Sequence, residues 1–179
     1  MNRKLNTEEI RRVSVDEYRR MAKIPLVLIL DNVRSMHNIG AVLRTADAFC
    51  IEKVVLCGIT ATPPNNEIHK SALGAEFSVC WEYSPEAQTP VRTLIDEGYR
   101  VLAVEQTQDS TPLGSLHIEG AAKYALVLGN EVSGVEQATI DLCDGSVEIP
   151  QYGTKHSLNV SGIVVWTFFE KLRNKRETI

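Results

Sequence analysis

Residues 128–136 read LGNEVSGVE, with glycines at 129 and 134 and glutamates at 131 and 136. They follow an apolar run, 124–128, of the kind that forms a buried strand. The glycine spacing matches the opening of a phosphate loop, whose backbone N–H groups cradle a triphosphate. That loop continues with Lys and then Ser or Thr, whereas Val135 and Glu136 stand here. A strand-ending turn with two carboxylates and no cation calls for a ligand other than a triphosphate.

A second stretch with chemical content is DNVRSMHNIGAVLRTADAF, residues 31–49. Asn38 precedes a helical pattern and is a good N-cap by residue type. At 100° per residue, Ile39, Val42, Leu43, Ala46, Phe49 and Cys50 gather on one arc. Arg44 projects roughly 160° from the centre of that arc and cannot belong to the core. It is either a solvated charge or a phosphate contact near the start of a helix, where anions are favoured. The stretch has no close glycine pair for a pyrophosphate, which argues against a nucleotide-dependent oxidoreductase of dinucleotide-binding fold.

The elements that must position these residues alternate. Apolar runs of strand length occur at 26–30, 53–57, 77–83, 100–104, 124–128 and 146–149. Helical patterns fall between them at 40–50, 67–73 (a short turn), 85–97 and 135–142, with a last one over 157–175. This alternation predicts an α/β fold, a mostly parallel sheet with helices on both faces. Ligands of such sheets sit beyond the carboxyl ends of the strands. That singles out loops 31–39, 129–134 and 150–156. The turn-rich segments TATPPNNE and DSTPLGS are expected to be loose.

A chain of 179 residues, 44% hydrophobic and 23% charged, suits one domain with a sizeable core. No apolar stretch reaches the ~18 residues of a membrane span. The polar start has no signal core. Cys50, Cys57, Cys80 and Cys143 are scattered and read as reduced thiols, which implies a cytoplasmic protein. His37, His69, His117 and His156 lack metal-ligand spacing, so no metal is expected. The net charge of −4 hides basic ends: residues 1–23 and 171–179 are each net +3. These are either solvated helix faces or patches for a polyanion. In the first, Arg12 and Arg19 are spaced to share a helix face.

Three segments together, NIGAVLRTADAF (38–49), LVLGNEVSGV (126–135) and IPQYGTKHSLNVS (149–161), resemble the three motifs of the SpoU/TrmH family of RNA ribose 2′-O-methyltransferases, of the SPOUT superfamily. They stand in family order, and the resemblance as a whole covers roughly residues 25–170. The resemblance implies a C-terminal trefoil knot that binds S-adenosyl-L-methionine, a homodimer, and an RNA substrate. It divides the chain into an N-terminal helical basic extension (1–24) and a methyltransferase domain (25–175). Adenine and ribose would be held largely by main-chain groups at Val104, Glu105, Leu128, Gly129, Ile149, Pro150, Ser157, Leu158 and Asn159. Gly129 would let the backbone approach the cofactor. The catalytic set implied is Arg44, Asn38, Glu131, Ser157 and Asn159.

The same resemblance gives Arg44 the proton of the attacking ribose hydroxyl. A cationic guanidinium that binds RNA phosphate and stabilises the developing alkoxide is physically easier. Asn38 would orient Arg44 or the ribose, Glu131 would hold motif loops or the nucleotide, and Asn159 would link cofactor loop and active site. Short extensions favour tRNA over rRNA. One departure stands out: after Ser161 the chain runs straight into GIVVW, about three residues short of the family pattern. Three residues rotate a helix by roughly 60°, so this bears on knot and dimer, and leaves open an inactive, cofactor-binding RNA assembly factor. The last helix is apolar nearly all round up to Glu170, as either a central core helix or a helix covered by a second subunit would be.

Overall fold

The computed structural model describes residues 2–6, 9–10, 12–154 and 161–173. Among these, seven strands form one sheet: β1 (Ile24–Asp31), β2 (Ile51–Cys57), β3 (Trp81–Ser84), β4 (Tyr99–Val104), β5 (Thr111–Pro112), β6 (Lys123–Leu128) and β7 (Gly145–Glu148). Their order is β3-β2-β1-β6-β4-β7-β5. Every pairing is parallel. All eight residues of β1 are buried. A strand covered on both faces needs no alternation, and IPLVLILD has little.

The two faces are filled separately. Leu26, Leu28 and Leu30 pack with Ile39 and Leu43 of α2 (Met36–Ala48), Ile68 of α3 (Asn66–Ala72) and Phe168 of α7 (Ser161–Arg173). Val27 and Ile29 face the opposite layer with Val91 and Leu94 of α5 (Gln88–Asp96). The parallel sheet and the two helical layers expected from the sequence are therefore present. No described helix is long and apolar enough to cross a membrane.

Local boundaries depart from expectation in four places. Segment 77–83 is not one strand: α4 (Ala75–Ser78) occupies its start and β3 begins at Trp81. Leu73 and Gly74, both at positive φ, end α3 and restart the chain as another helical turn. The segment DSTPLGS is not wholly loose, because Thr111 and Pro112 pair with Val147 and Glu148. α2 starts at Met36, and its cap is Ser35, whose hydroxyl accepts from Asn38 N, rather than Asn38 itself. At the N-terminus the described helix α1 (Val15–Arg20) begins after Arg12, so Arg12 and Arg19 do not share a helix face. Instead Ser14 caps α1 and buried Tyr18 donates its hydroxyl to Ala46 O at 3.2 Å.

Ser157, Leu158 and Asn159, the crossing expected of a knot, and the start of the last helix at 157 lie outside the described residues.

Candidate active site

β1 and β6 are parallel neighbours, with Leu30 opposite Leu128. After β1 the chain crosses to β2 on one side, while the strand that follows β6 lies beyond β4 on the other. Loops leaving such a switch point border a crevice. Here they are residues 32–35 and 129–136.

The 129–136 turn closes on itself. Asn130 N donates to Gly134 O and Gly134 N to Asn130 O, both at 2.9 Å. Asn130 Oδ1 accepts from Val132 N and Ser133 N. A Cβ on Gly129 would lie 2.2 Å from Gly134 C, and one on Gly134, at φ +70°, 2.1 Å from Glu105 Oε2. The turn's own closure requires these glycines. The space that a Gly129 side chain would need is filled by Gly134 and Val135 backbone.

From this turn Glu131 reaches across to α2. Its Oε2 accepts from Arg34 N at 3.0 Å, and its Oε1 from Ser35 N and Asn38 Nδ2, each at 2.9 Å. Burial pushes the Glu131 carboxyl up, but donation from Arg34 N, Glu131 N, Ser35 N and Asn38 outweighs it and holds the group below its usual range. A carboxylate here takes up N–H groups that a helix start otherwise leaves unsatisfied, and it complements the positive end of the helix. Sequence spacing paired neither residue with the other; the fold brings Asn38 and Glu131 into direct contact.

A second set of bonds fixes the other end of the turn. Asn32, at φ 54°, donates Nδ2 to Asp31 Oδ1 at 3.0 Å and to Glu136 Oε1 at 2.8 Å. Its Oδ1 accepts from Ile59 N, and its backbone oxygen from Asn130 Nδ2. Asp31 is buried and accepts Glu136 N through Oδ2. Burial pushes its carboxyl above the usual range, offset in part by that bond. Glu105 Oε2 accepts from Val135 N at 3.0 Å. Asp31 and Asn32 were not foreseen as site residues, and Glu136, noted as a carboxylate of the turn, was given no role, since sequence gives no signal of which N–H a strand-end polar residue will meet.

Arg44 lies on another stripe of α2. Six residues beyond Asn38, it is about 9 Å further along the axis. It is exposed and, among the described residues, has no hydrogen-bond or ion-pair partner. It lines a cleft of about 770 Å³ with His37, Thr45, Lys70, Ser71 and Trp166. Gly40 lets α3 approach, since a Cβ there would be 2.1 Å from Ser71 Oγ. Ser71 donates to His37 O at 3.0 Å. This contact brings Lys70 of α3 to the arginine's cleft.

Residues 25–165 match the model of the SpoU rRNA Methylase family. The chain belongs to that family. A 23S rRNA (guanosine-2′-O-)-methyltransferase from Neisseria meningitidis is 32% identical over 82% of this chain and 57% of its own length. A tRNA (guanosine(18)-2′-O)-methyltransferase from Thermus thermophilus is 28% identical over 93% of this chain and 84% of its own. The solved AdoMet-bound rRNA methyltransferase from Sinorhizobium meliloti has TM-score 0.73 and 25% identity, over 93% of this chain and 62% of that one. The chain spans less than two thirds of the length of the first rRNA relatives.

Within this SpoU domain the expected positions fall into two groups. Val104 is opposite both Leu128 and Val147, so the ends of β6, β4 and β7 lie side by side. That places Val104, Glu105, Leu128, Gly129, Ile149 and Pro150 along one edge of the sheet. Asn38 and Glu131 meet beside this edge, and Arg44 faces the separate cleft on α2. Among the described residues no His, Cys, Asp and Glu group is arranged to hold a metal.

Proposed function

We propose that this SpoU-family chain is an S-adenosyl-L-methionine-dependent RNA ribose 2′-O-methyltransferase. The observation that carries the proposal is the Glu131 clamp, which ties the glycine turn at the end of β6 to the first turn of the helix bearing Arg44. One turn thereby holds both the strand-end edge and the arginine helix in register. The edge suits a nucleoside recognised by main-chain groups. The turn carries Glu131 and Glu136 and no Lys or Arg, so it suits a cationic sulfonium better than a phosphate.

When bound, the cofactor supplies a sulfonium methyl for transfer to a ribose 2′-oxygen. The protein's part is alignment, which supplies much of the acceleration when the leaving group is good. Arg44 is proposed to bind an RNA phosphate and stabilise charge developing on the 2′-oxygen. Asn38 and Glu131 position the helix start, and the backbone at Val104, Glu105, Leu128, Gly129, Ile149 and Pro150 holds adenine and ribose. Ser157, Leu158 and Asn159 complete the site in this reading, within a trefoil knot. Residues 1–24 form an extension and 25–175 the methyltransferase domain.

tRNA is the substrate class proposed, supported by a match that runs through 84% of the Thermus tRNA enzyme. rRNA is the second reading, supported by the higher identity to the Neisseria enzyme. A homodimer is proposed because Trp166 of α7 is half exposed in the Arg44 cleft, where a second subunit would cover it. The test is methyl transfer from labelled S-adenosylmethionine to bulk tRNA and to rRNA, with nucleoside mass spectrometry to locate the product. Cofactor binding without transfer to either RNA would favour the inactive assembly factor. Absence of cofactor binding would sink the reading.

A further inference from the structure

Beyond the Arg44 cleft, α3 and α4 meet at a corner that leaves two large apolar residues in solvent. Leu73 is 63% exposed and Phe77 59%. Leu73 also sits in the left-handed region, at φ 53° and ψ 38°, where a bulky side chain is disfavoured. An exposed leucine in a strained backbone position contributes little to folding. The His69 ring stands 6.2 Å from the Phe77 ring, tilted by 53°, so the corner presents two aromatic faces.

The corner is rimmed by cations. Arg19 of α1 donates Nη2 to Phe77 O at 2.7 Å, which leaves its other N–H donors unspent among the described residues. Lys70 adjoins His69 in sequence and lines the Arg44 cleft. Three acidic groups at the α3–α4 corner are already engaged, while Asp16 of α1 stands one turn before Arg19. Glu76 is buried, bonded to His69 Nδ1 and Gly74 N. Asp47 accepts from Ser78. Glu67 pairs with Lys70 at the surface, a bond that exposed chains exchange readily.

We infer that the Arg19–Phe77–His69–Lys70 corner is a docking track for an unpaired RNA segment next to the nucleotide at Arg44, with Phe77 as the stacking platform for one base. The inference rests on the RNA-modifying role proposed above. Charge complementarity selects this occupant: Arg19 at the Phe77 backbone and Lys70 in the adjoining Arg44 cleft, with an exposed aromatic ring between these elements, fit a polyanion whose bases have π-faces. A protein ligand or second copy of this chain would use the apolar pair without needing Arg19 and Lys70. Structurally, the track gives the N-terminal basic segment a task, because α1 is the element that delivers Arg19 to Phe77.

Fluorescence anisotropy with a labelled single-stranded 12-nucleotide RNA and a blunt RNA duplex tests this on the full chain. Phe77→Leu keeps apolar bulk and removes the ring. It is expected to weaken single-strand binding at least about fivefold and Phe77→Trp to restore it. Arg19→Glu is expected to lower the salt slope by about one unit. Methyl transfer by the Phe77→Leu protein should show raised KM and unchanged kcat. Unchanged single-strand affinity in both Phe77→Leu and Arg19→Glu, with the unsubstituted protein still transferring methyl, would overturn the track and leave the enzyme reading intact. Loss of dimer in Phe77→Leu by sedimentation would assign the corner to a second copy and also overturn it. Failure of the unsubstituted protein to bind or methylate any RNA would remove both.

Discussion

The 129–136 turn and the Arg44 cleft are linked only through α2 and are built on opposite principles. In the turn nearly every polar group is committed: Asn130 to its own loop, Glu131 to α2, and Glu105 and Asp31 to the N–H groups of Val135 and Glu136. In the cleft Arg44 is exposed and uncommitted among the described residues. On the proposed reading, the turn serves a small nucleoside held through backbone atoms, and such a site gains from rigidity, since ordering costs are met on folding. On the same reading Arg44 meets an RNA phosphate, and a cation with that task gains from having no competing partner. Substitutions in the turn should therefore act on stability and cofactor binding, and those in the cleft on turnover.

The largest effect that would break this contrast is at Arg44. Arg44→Ala is expected to cut methyl transfer by roughly 100-fold or more, the scale of one lost charge-stabilising donor, while cofactor affinity by calorimetry stays within a few fold. Lysine there keeps the charge and loses the planar fork, so its residual rate separates point charge from bidentate geometry. Near-normal turnover in the alanine protein would make Arg44 a surface charge.

Next is Gly129→Ala. Its Cβ meets backbone of Gly134 and Val135, which cannot rotate away as a side chain would. A loss of about 1–3 kcal/mol in denaturant stability is expected, with cofactor affinity falling too. A protein as stable as the parent would show that the turn is pliant.

Glu131→Gln should come third. An amide keeps one acceptor and replaces the other by a donor facing the N–H of Arg34 or those of Ser35 and Asn38, which costs about 1–2 kcal/mol. Here kcat should fall more than cofactor affinity, because Arg44 rides on the loosened helix. Equal losses in both would mean that Glu131 serves the cofactor alone.

The smallest effect is on pH dependence, and its sign differs between two carboxylates. Glu131 is held below its reference value of 4.5, so its contribution is present above that pH and lost as pH falls through the lower folded value. Asp31 is raised above 3.8 by burial, so it favours the folded state at acid pH and loses that advantage as pH climbs through its raised folded value. Glu131→Gln should flatten acid destabilisation below about pH 4.5, and Asp31→Asn should steepen it. Urea midpoints from pH 3 to 7 would check both signs, and a shift of like sign in the two variants would contradict them.

What the sequence determined by itself is the part governed by short-range pattern. The apolar runs at 26–30, 53–57, 100–104, 124–128 and 146–149 became strands because buried parallel strands need continuous apolar sequence, and no rival element of that length fits. Arg44 was placed off the core by helical geometry alone. The three motifs and their order carried the family. Tertiary structure decided the rest. Ser35 and Asn38 are comparable caps by residue type, but the Asn38 amide donates to Glu131, ninety-three residues away, and Ser35 caps the helix. Phe77 and Val79 looked like strand residues until the left-handed pair Leu73–Gly74 turned the chain into α4. Lys70 reached the Arg44 cleft through a close helix approach at Gly40. Each of these contacts joins segments distant in sequence. Local propensity scores every candidate conformation separately, and the free energy that chooses among them arises only when the partners meet.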